Sequence, residues 1–383
     1  MKLAVVRKSP DRLVATPIVQ QTAFWGRVQR QLGIGVEAFD VRVDDRASAA
    51  SSSSLLTAAG EGAAGDFLVM RTPLTDEIDC AYVPFGPELT PEAGAVGGFL
   101  ERLSRALAPM LGPRCAFVRW DLPWTSVHAR EADDFTADGA WRGPPAPHLR
   151  ELRMNFGTDE RNLYKAPRDL LPSDTILVDV DAADDELLAR MHPKTRYNLR
   201  LAARHGVVVS EGTVEELPAW YALYLETMAR NHLEPLPLGH FVALLTERGE
   251  GSTSPVEPRL LVARHEGALI AGALIAVAPP RATYLYGASS RARRDVMAPY
   301  ALQWAAIRLA RAHGCRDYDL FGAAPRGDAQ HSLAGVHRFK VGFGGRLVHR
   351  EGCWDFPLDD TSYAAVRRWE ESHVLHRAVA PAR

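Results

Sequence analysis

The order of structural elements between Tyr284 and Gly322 is the sequence feature that most limits the fold. This stretch, YLYGASSRARRDVMAPYALQWAAIRLARAHGCRDYDLFG, predicts a strand, a basic loop, a helix and a second strand. The predicted helix, Pro299 to His313, has a proline near its start and a glycine just past its end, as helices prefer. Strand and helix patterns also alternate between Phe67 and Trp120, so the sequence predicts two similar α/β units.

Length, charge and apolar content limit the class of protein. At about 150 residues per domain, 383 residues predict two or three domains. The formal net charge of −2 argues against a surface covered in basic charge for non-specific nucleic-acid binding. The most apolar run, Ala268 to Ala278, is about half the length of a membrane span and predicts a buried strand.

Two further features bear on location. The segment after Met1 lacks the apolar core of a signal peptide, and the four cysteines are widely spaced, which fits a reducing compartment. We therefore expect a cytoplasmic protein without a transmembrane segment. The low-complexity stretch 47–65 predicts a mobile loop, and the polar, proline-rich stretch 130–150 predicts an excursion or linker.

A predicted basic helix is the first candidate functional region. Six acidic and no basic residues lie between Asp174 and Glu186, whereas four basic and no acidic residues lie between Met191 and Gly206. Within the basic stretch, Arg196, Arg200 and Arg204 recur every four residues and are expected on one helical face. That face is either simply solvated or a phosphate-binding site, because guanidinium groups bind phosphates through two parallel hydrogen bonds.

Lys340 is the second candidate. Only five of the 45 basic side chains are lysines, and this one stands among apolar and glycine residues in the stretch His337 to Gly345. An ammonium group can stabilise an oxyanion or pair with a carboxylate or phosphate. The alternative is a structural lysine at a strand edge before the Gly344-Gly345 turn.

The segment Tyr284 to Gly322 resembles the central motif of GNAT acyltransferases, in which a loop and a helix start hold the pyrophosphate of coenzyme A. Such a loop needs glycines, so that the backbone can approach the phosphates closely. Here the corresponding turn, Val296 to Pro299, contains no glycine, and its proline lacks an N–H donor. The resemblance therefore implies an acyltransferase scaffold that has lost its hold on coenzyme A.

Taken together, several stretches resemble the Fem family (FemABX) of peptidoglycan cross-bridge aminoacyltransferases, which take amino acids from aminoacyl-tRNA. The stronger matches are Met191 to Val207, Tyr284 to Gly322, Leu333 to Gly345, and Cys353-Trp354-Asp355. The looser ones are Phe24-Trp25-Gly26, Tyr82 to Pro87, and Trp120-Asp121. The chain resembles the compact members, which lack the long helical arm.

This resemblance implies an α/β (α+β) fold with two GNAT-like acyltransferase domains in tandem, each a mixed sheet flanked by helices. Residues 1–175 together with 346–383 are expected to form domain 1, which would bind the cell-wall precursor. Residues 176–345 are expected to form domain 2, which would receive the aminoacyl end of tRNA.

The resemblance also implies roles for individual residues. Arg196 corresponds to a family arginine that contacts the diphosphate of the precursor, and Lys340 matches a lysine near the transferred carbonyl. Asp121 stands where the family often has an acidic residue near the substrate peptide. Further substrate-binding candidates from the matching stretches are Tyr197, Asn198, Tyr300 and Arg338.

One position departs from the family pattern. The family commonly has a diphosphate-binding lysine four residues after the tryptophan that corresponds to Trp25, and here that position is Gln29. Either Arg27 or Arg30 substitutes for the lysine, or precursor binding differs.

The resulting hypothesis is aminolysis of an ester. The amine on the third residue of a stem peptide would attack the ester carbonyl of aminoacyl-tRNA, which is already activated, so no cofactor or metal is required. Lys340 would stabilise the oxyanion, and Asp121 is a weak candidate for the base. No metal site is predicted, because Asp317, Asp319 and Asp328 lack suitably spaced histidines.

The partners implied are aminoacyl-tRNA and either UDP-MurNAc-pentapeptide or lipid II, with contact to the membrane surface left open and a monomer expected. Three alternatives stand beside this hypothesis. The first is a GNAT-like N-acyltransferase that uses an acyl thioester. The second is an aminoacyl-tRNA-dependent ligase acting on another small peptide or natural product. The third is a non-catalytic binder of tRNA or of a nucleotide-sugar.

Overall fold

The structure is a computed structural model that describes residues 2–44, 64–92, 94–137, 139–248, 251–324 and 334–379. The predicted loop 47–65 lies, up to residue 63, outside the described residues, and so does Asp328. The chain forms two compact units. Unit 1 comprises the residues up to Val14, Ile34–Ser173 and those from His349 onward, and unit 2 comprises Ala15–Gly33 and Asp174–Val348.

Unit 1 is built on a mixed sheet whose strands lie in the order β1-β2-β3-β4-β5-β13, with the short β6 also pairing with β13. These strands are β1 (Lys2–Lys8), β2 (Gly35–Asp44), β3 (Ala64–Pro73), β4 (Asp79–Val83), β5 (Cys115–Thr125), β6 (Tyr164–Lys165) and β13 (Arg346–Pro357). Its helices are α2 (Val96–Leu111), α3 (Pro147–Met154) and α10 (Asp360–Val379).

Unit 2 is built on a second mixed sheet, in the order β7-β12-β11-β10-β9-β8. These strands are β7 (Asp174–Asp179), β8 (Val208–Gly212), β9 (Glu257–His265), β10 (Ala268–Ala278), β11 (Arg281–Ser289) and β12 (Asp317–Asp319). Its helices are α1 (Ala23–Gln31), α4 (Asp184–Arg190), α5 (Pro193–Arg204), α6 (Leu217–Arg230), α7 (Leu238–Thr246), α8 (Ala298–Ala312) and α9 (Ala334–Val341).

The two units repeat one strand layout. In unit 1, β4 and β5 are parallel and α2 connects them, while the other neighbouring strands in the order pair antiparallel. In unit 2, β11 and β12 are parallel and α8 connects them, and again the other pairs are antiparallel. A parallel pair needs a crossover of this kind, which is why the strand–helix–strand pattern of the sequence predicts it.

Each unit has its own apolar core. The core of unit 1 packs Phe67 against Trp120, with ring centres 5.5 Å apart, and includes the buried Trp354 of β13. The core of unit 2 lies between its sheet and α8, around the buried Tyr318 and Phe343. The apolar run Ala268 to Ala278 is the buried strand β10, as predicted.

A buried ionic network ties the last helix of unit 1 to its sheet. Arg119 on β5 donates to Asp355 of β13 over 2.7 Å and to Glu370 of α10 over 2.8 Å, and all three side chains are buried. Because a buried charge must be paired, this network fixes α10 against the strands.

The segment 15–33 packs differently from the sequence-based division, which assigned it to domain 1. It belongs to unit 2, where Arg27 Nε lies 2.7 Å and Gln31 Nε2 lies 2.6 Å from the carboxylate of Glu247. Thr16 N also donates to Ser254 Oγ over 2.7 Å. These contacts and the packing of α1 on α7 hold the segment, and a reading of local patterns does not reveal them.

One local expectation was wrong. The alternative placement of Lys340 at a strand edge fails, because this residue lies on helix α9. The stretch 130–150, predicted as an excursion or linker, lies within unit 1, so it does not link the two units. It ends inside helix α3, which has Pro147 at its first position, where proline's missing N–H does no harm.

Candidate active site

A sharp turn after strand β12 forms one wall of the candidate active site in unit 2. Phe321 and Gly322 both have positive φ angles, 54° and 40°. A positive φ is uncommon for phenylalanine and marks places where the surrounding structure imposes the backbone conformation. The turn is held by Asp319, whose Oδ1 accepts a hydrogen bond from Phe321 N over 2.8 Å and another from the hydroxyl of Thr175.

Lys340 on α9 points at this turn. Its ammonium nitrogen donates to the carbonyl of Gly322 over 2.7 Å and also to the carbonyl of Phe321. The side chain is only 6% exposed, and Nζ lies 5.5 Å from the ring centre of Tyr284. Two of the three bonding positions of the nitrogen are therefore occupied by the backbone, and the third has no partner among the described residues.

Burial changes the acidity of this lysine. Removal from water lowers the pKa of Lys340 to about 7, while the nearby carboxylate of Asp319 opposes the shift. Both hydrogen bonds to carbonyls persist after deprotonation, because a neutral amine keeps two N–H bonds. The third position is thus an N–H in the ammonium form and a lone pair in the neutral form, and both forms exist near neutral pH.

Tyr284 of β11 is half-buried and lies beside Lys340. Burial raises the pKa of Tyr284 to about 12, and a hydrogen bond with Gln303 opposes the shift. A Cβ atom at Gly287 would lie only 1.6 Å from the tyrosine hydroxyl oxygen. Glycine is therefore required at 287 for this ring to reach the lysine.

Close packing joins α9 to the start of α5. A Cβ atom at Gly342 would lie 2.2 Å from the hydroxyl oxygen of Thr195, and His192 N donates to the carbonyl of Gly342 over 2.9 Å. The ring of Tyr300 packs edge-on against Phe339, with centres 5.0 Å apart. The stretches 191–207, 284–322 and 334–345 of the sequence thus come together in unit 2.

Arg196 has a structural contact that its spacing did not reveal. Its Nη1 donates to the carbonyls of Leu188 and Ala189 over 3.3 and 3.4 Å, and also to that of Met191. These carbonyls lie at the end of α4, where helix carbonyls lack intrahelical partners. Within the described residues all hydrogen bonds of Arg196 use Nη1, so Nε and Nη2 are left for a ligand.

The other candidates in unit 2 differ in exposure. Tyr197 is 55% exposed, with the guanidinium of Arg204 5.9 Å from its ring centre, and Arg338 is exposed on α9. Asn198 is buried on α5.

The two arginines proposed to replace the lysine missing at Gln29 lie on α1. Arg27 is bound to Glu247 and to the carbonyl of Arg248, whereas Arg30 is exposed. Gln29 itself is buried. The exposed position of Arg30 leaves it the better placed of the two to meet a phosphate.

Asp121 lies in unit 1 and is fully buried, at 0% exposure. Its Oδ2 accepts from the hydroxyl of Tyr82 over 2.8 Å and from Leu171 N over 3.2 Å, while its Oδ1 has no partner among the described residues. Burial raises the pKa of Asp121 to about 6, against the opposing hydrogen bond from Tyr82. A raised pKa suits a proton acceptor, and access to substrate would need the surrounding side chains to move.

Sequence reasoning missed the role of Asp319 and of the Phe321–Gly322 carbonyls. Asp319 was considered only as a metal ligand, and no group of His, Cys, Asp or Glu side chains among the described residues has the arrangement of a metal site. The only local signal for the turn is a Phe-Gly pair directly after a strand, which does not show that its carbonyls meet a lysine 18 residues away.

With this geometry in place, the comparisons with known proteins identify the family. The chain matches the FemAB family over residues 15–253 and 260–370, and it therefore belongs to that family. The resemblance inferred from the ordered motifs is confirmed.

Curated relatives and a solved structure agree with this membership. A lipid II:glycine glycyltransferase of Staphylococcus epidermidis is 24% identical over 278 residues, which are 58% of this chain and 66% of that protein. One from Staphylococcus haemolyticus is 32% identical over 109 residues, 28% of this chain and 26% of that protein. The matched regions thus span about a quarter to two thirds of these relatives' length.

The crystal structure of FemX superposes with a TM-score of 0.66 at 16% identity, covering 91% of this chain and 94% of that one. This likeness and the two mixed sheets confirm the predicted α/β fold with two similar units. The longest helix described in unit 2 is α8, with 15 residues, in keeping with a compact member without a helical arm. In the described parts of the chain, no helix combines the length and the apolar character that crossing a membrane requires.

Proposed function

We propose that this protein is an aminoacyltransferase that adds an amino acid from aminoacyl-tRNA to the stem-peptide amine of a peptidoglycan precursor. Membership of the FemAB family and similarity to lipid II:glycine glycyltransferases support the substrate class. The observation that carries the chemistry is Lys340, a buried amine held by two carbonyls with its third position available. A buried N–H donor of this kind suits a reaction whose transition state develops negative charge.

The reaction forms one bond and breaks one. The amine nitrogen attacks the ester carbonyl, and the carbonyl oxygen becomes an oxyanion that the third N–H of Lys340 stabilises. The tetrahedral intermediate then collapses, the C–O bond to the ribose breaks, and the ribose oxygen receives the proton that the amine releases. No oxidant, reductant or ATP is consumed, because the ester supplies the driving force.

Other residues of unit 2 are the proposed contacts of the two substrates. Arg196 has Nε and Nη2 for the diphosphate of the precursor, and Arg30 lies exposed where the family lysine is absent. Tyr197, Asn198, Tyr300 and Arg338 come from the segments that pack with Lys340 in unit 2, and they are the proposed contacts of precursor and aminoacyl end. In water-excluded sites such contacts hold amine and ester in reacting geometry, which supplies much of the rate.

A transfer assay tests the proposal. Purified protein is mixed with a pool of radiolabelled aminoacyl-tRNAs and, in separate reactions, with UDP-MurNAc-pentapeptide, with lipid II or with no acceptor. We expect label in the stem peptide, located by mass spectrometry, with Lys340→Met as the matched control. Transfer from acyl-coenzyme A but not from charged tRNA would replace the proposal with the N-acyltransferase alternative. If neither donor supports transfer, the alternative of a non-catalytic binding protein would replace it.

A further inference from the structure

A pocket of about 500 Å³ lies in unit 1, outside the candidate active site. It opens between the start of α2, helix α3 and strand β13. A Cβ atom at Gly97 would lie 1.7 Å from the carbonyl oxygen of Met154, so α2 and α3 touch closely at one side of the pocket. Its volume lies within the usual range for small-molecule sites.

The pocket contains the guanidinium group of Arg150, which forms no salt bridge with a described residue. Arg150 donates through Nη2 to the carbonyl of Glu351 over 3.1 Å, while its Nε is buried and has no partner among the described residues. Arg153, one helical turn on, is exposed and also forms no ion pair with a described residue. Burial lowers the pKa of Arg150, but arginine stays charged in proteins, so this buried cation is incompletely compensated.

The other residues that line the pocket do not cancel the positive charge of the two arginines. Oε1 of Glu351 accepts from Val127 N over 2.6 Å, and this is the one carboxylate that lines the pocket. Burial, aided by the two arginines, lowers the pKa of His128, so its ring is neutral at pH 7. The indole N–H of Trp354, a residue that is buried and lines the pocket, has no partner among the described residues and is a second donor for a ligand.

The mouth of the pocket is apolar. Leu152 and Phe156 line the pocket and are 67% and 78% exposed, and the exposed Leu149 precedes Leu152 by three residues on α3. Contiguous exposed apolar side chains of this size mark contact sites on soluble proteins. A ligand that fills the pocket therefore contacts guanidinium groups inside it and apolar side chains at its mouth.

We infer that this pocket binds a single-chain anionic amphiphile, a phosphate ester whose apolar chain leaves past Leu152 and Phe156. Arg150 and Arg153 hold the phosphate, because guanidinium groups match its geometry with parallel hydrogen bonds. The inference goes beyond the proposed function, because this phosphate site is formed by residues of unit 1, whereas Arg196 and Arg30, assigned to the diphosphate of the precursor, belong to unit 2.

Binding of farnesyl monophosphate, below its micelle concentration, to the full chain tests the inference by calorimetry. We expect saturable binding that inorganic phosphate and farnesol each fail to reproduce. Arg150→Gln is expected to weaken it about tenfold or more, as loss of a charge-assisted contact does. Phe156→Ser, at an exposed site where folding is not at risk, is expected to weaken it roughly three- to tenfold through lost apolar contact.

Matched controls are Arg368→Gln and Val6→Ser, which remove an exposed arginine and an exposed apolar side chain of unit 1 far from the pocket in sequence. Absence of saturable binding, equal binding of inorganic phosphate, or wild-type affinity in both Arg150→Gln and Phe156→Ser overturns the inference. Binding to phosphatidylglycerol vesicles without binding of farnesyl monophosphate also overturns it. None of these measurements uses tRNA, and transfer to UDP-MurNAc-pentapeptide tests the proposed function separately.

Discussion

The pH dependence of aminoacyl transfer should reveal which form of Lys340 is active. If its ammonium form stabilises the oxyanion, activity that depends on this residue declines as pH rises through about 7, the pKa that burial imposes. Arginine at the same position stays charged at every accessible pH, so Lys340→Arg removes the titration while keeping a cation. The ratio of the wild-type rate to the Lys340→Arg rate isolates this effect, because ionisation of the attacking amine affects both proteins equally.

The magnitude follows from the pKa. Below pH 7 the ratio is expected to be constant, and above it to fall about tenfold per pH unit, or roughly thirtyfold by pH 8.5. The fall stops where the rate reaches that of Lys340→Met, which is expected to be about a hundred- to thousandfold slower than wild type at pH 6.5. The methionine keeps the aliphatic stem, so its packing loss is small.

Single-turnover transfer from charged tRNA, measured from pH 6 to 8.5 with thermal melts of each variant, provides the assay. A ratio that rises towards pH 7 and is then flat would show that the neutral amine acts as a base. A ratio that does not change with pH, in well-folded proteins, would refute the assignment of the titration to Lys340.

Three further outcomes are expected. Arg196→Ala should weaken precursor binding about ten- to hundredfold in a direct binding assay and also lower the free energy of unfolding, since the carbonyls at the end of α4 lose their donor; unchanged affinity would leave Arg196 with only its structural role. Burial raises the pKa of Asp121 to about 6 in the folded state, so the unfolded chain loses this proton at a lower pH than the folded chain does. The protonated carboxyl therefore stabilises the fold below about pH 4, and this contribution is lost as the pH rises from about 4 to 6. Asp121→Asn should therefore gain stability relative to wild type across that window in urea titrations, and a constant difference would contradict the raised pKa. Arg119→Met should cost about 3–5 kcal/mol in the same titrations, because it leaves the carboxylates of Asp355 and Glu370 buried and unpaired, and a loss below about 1 kcal/mol would show that water reaches them.

Much of the fold follows from local patterns. The sequence between Tyr284 and Gly322 predicts β11, α8 and β12, because apolar spacing and helix-end residues are properties of short stretches. The unit to which α1 belongs was not predictable in this way. That depends on Glu247, more than 200 residues later, which only the folded chain brings to Arg27.

The sequence pointed to the central residue of the candidate site but not to the contacts of that residue. The rarity of lysine drew attention to Lys340, and resemblance gave it a role, but neither showed that two backbone carbonyls would hold it. Those carbonyls face the lysine because of positive φ angles at Phe321 and Gly322, and side-chain patterns do not encode such angles for a phenylalanine. Likewise, the four-residue spacing that includes Arg196 suggests a phosphate site, but it does not show that Nη1 of this residue donates to carbonyls at the end of α4.

The place of β13 in the chain has a consequence for biosynthesis. This strand completes the sheet of unit 1 by pairing with β5, yet it is translated after every described strand of unit 2. Unit 2 can therefore finish its sheet on the ribosome while β5 still presents a row of unpaired N–H and C=O groups, a template for aggregation. Until β13 has left the ribosome, the sheet of unit 1 keeps an open edge, and chaperone protection matters during this interval.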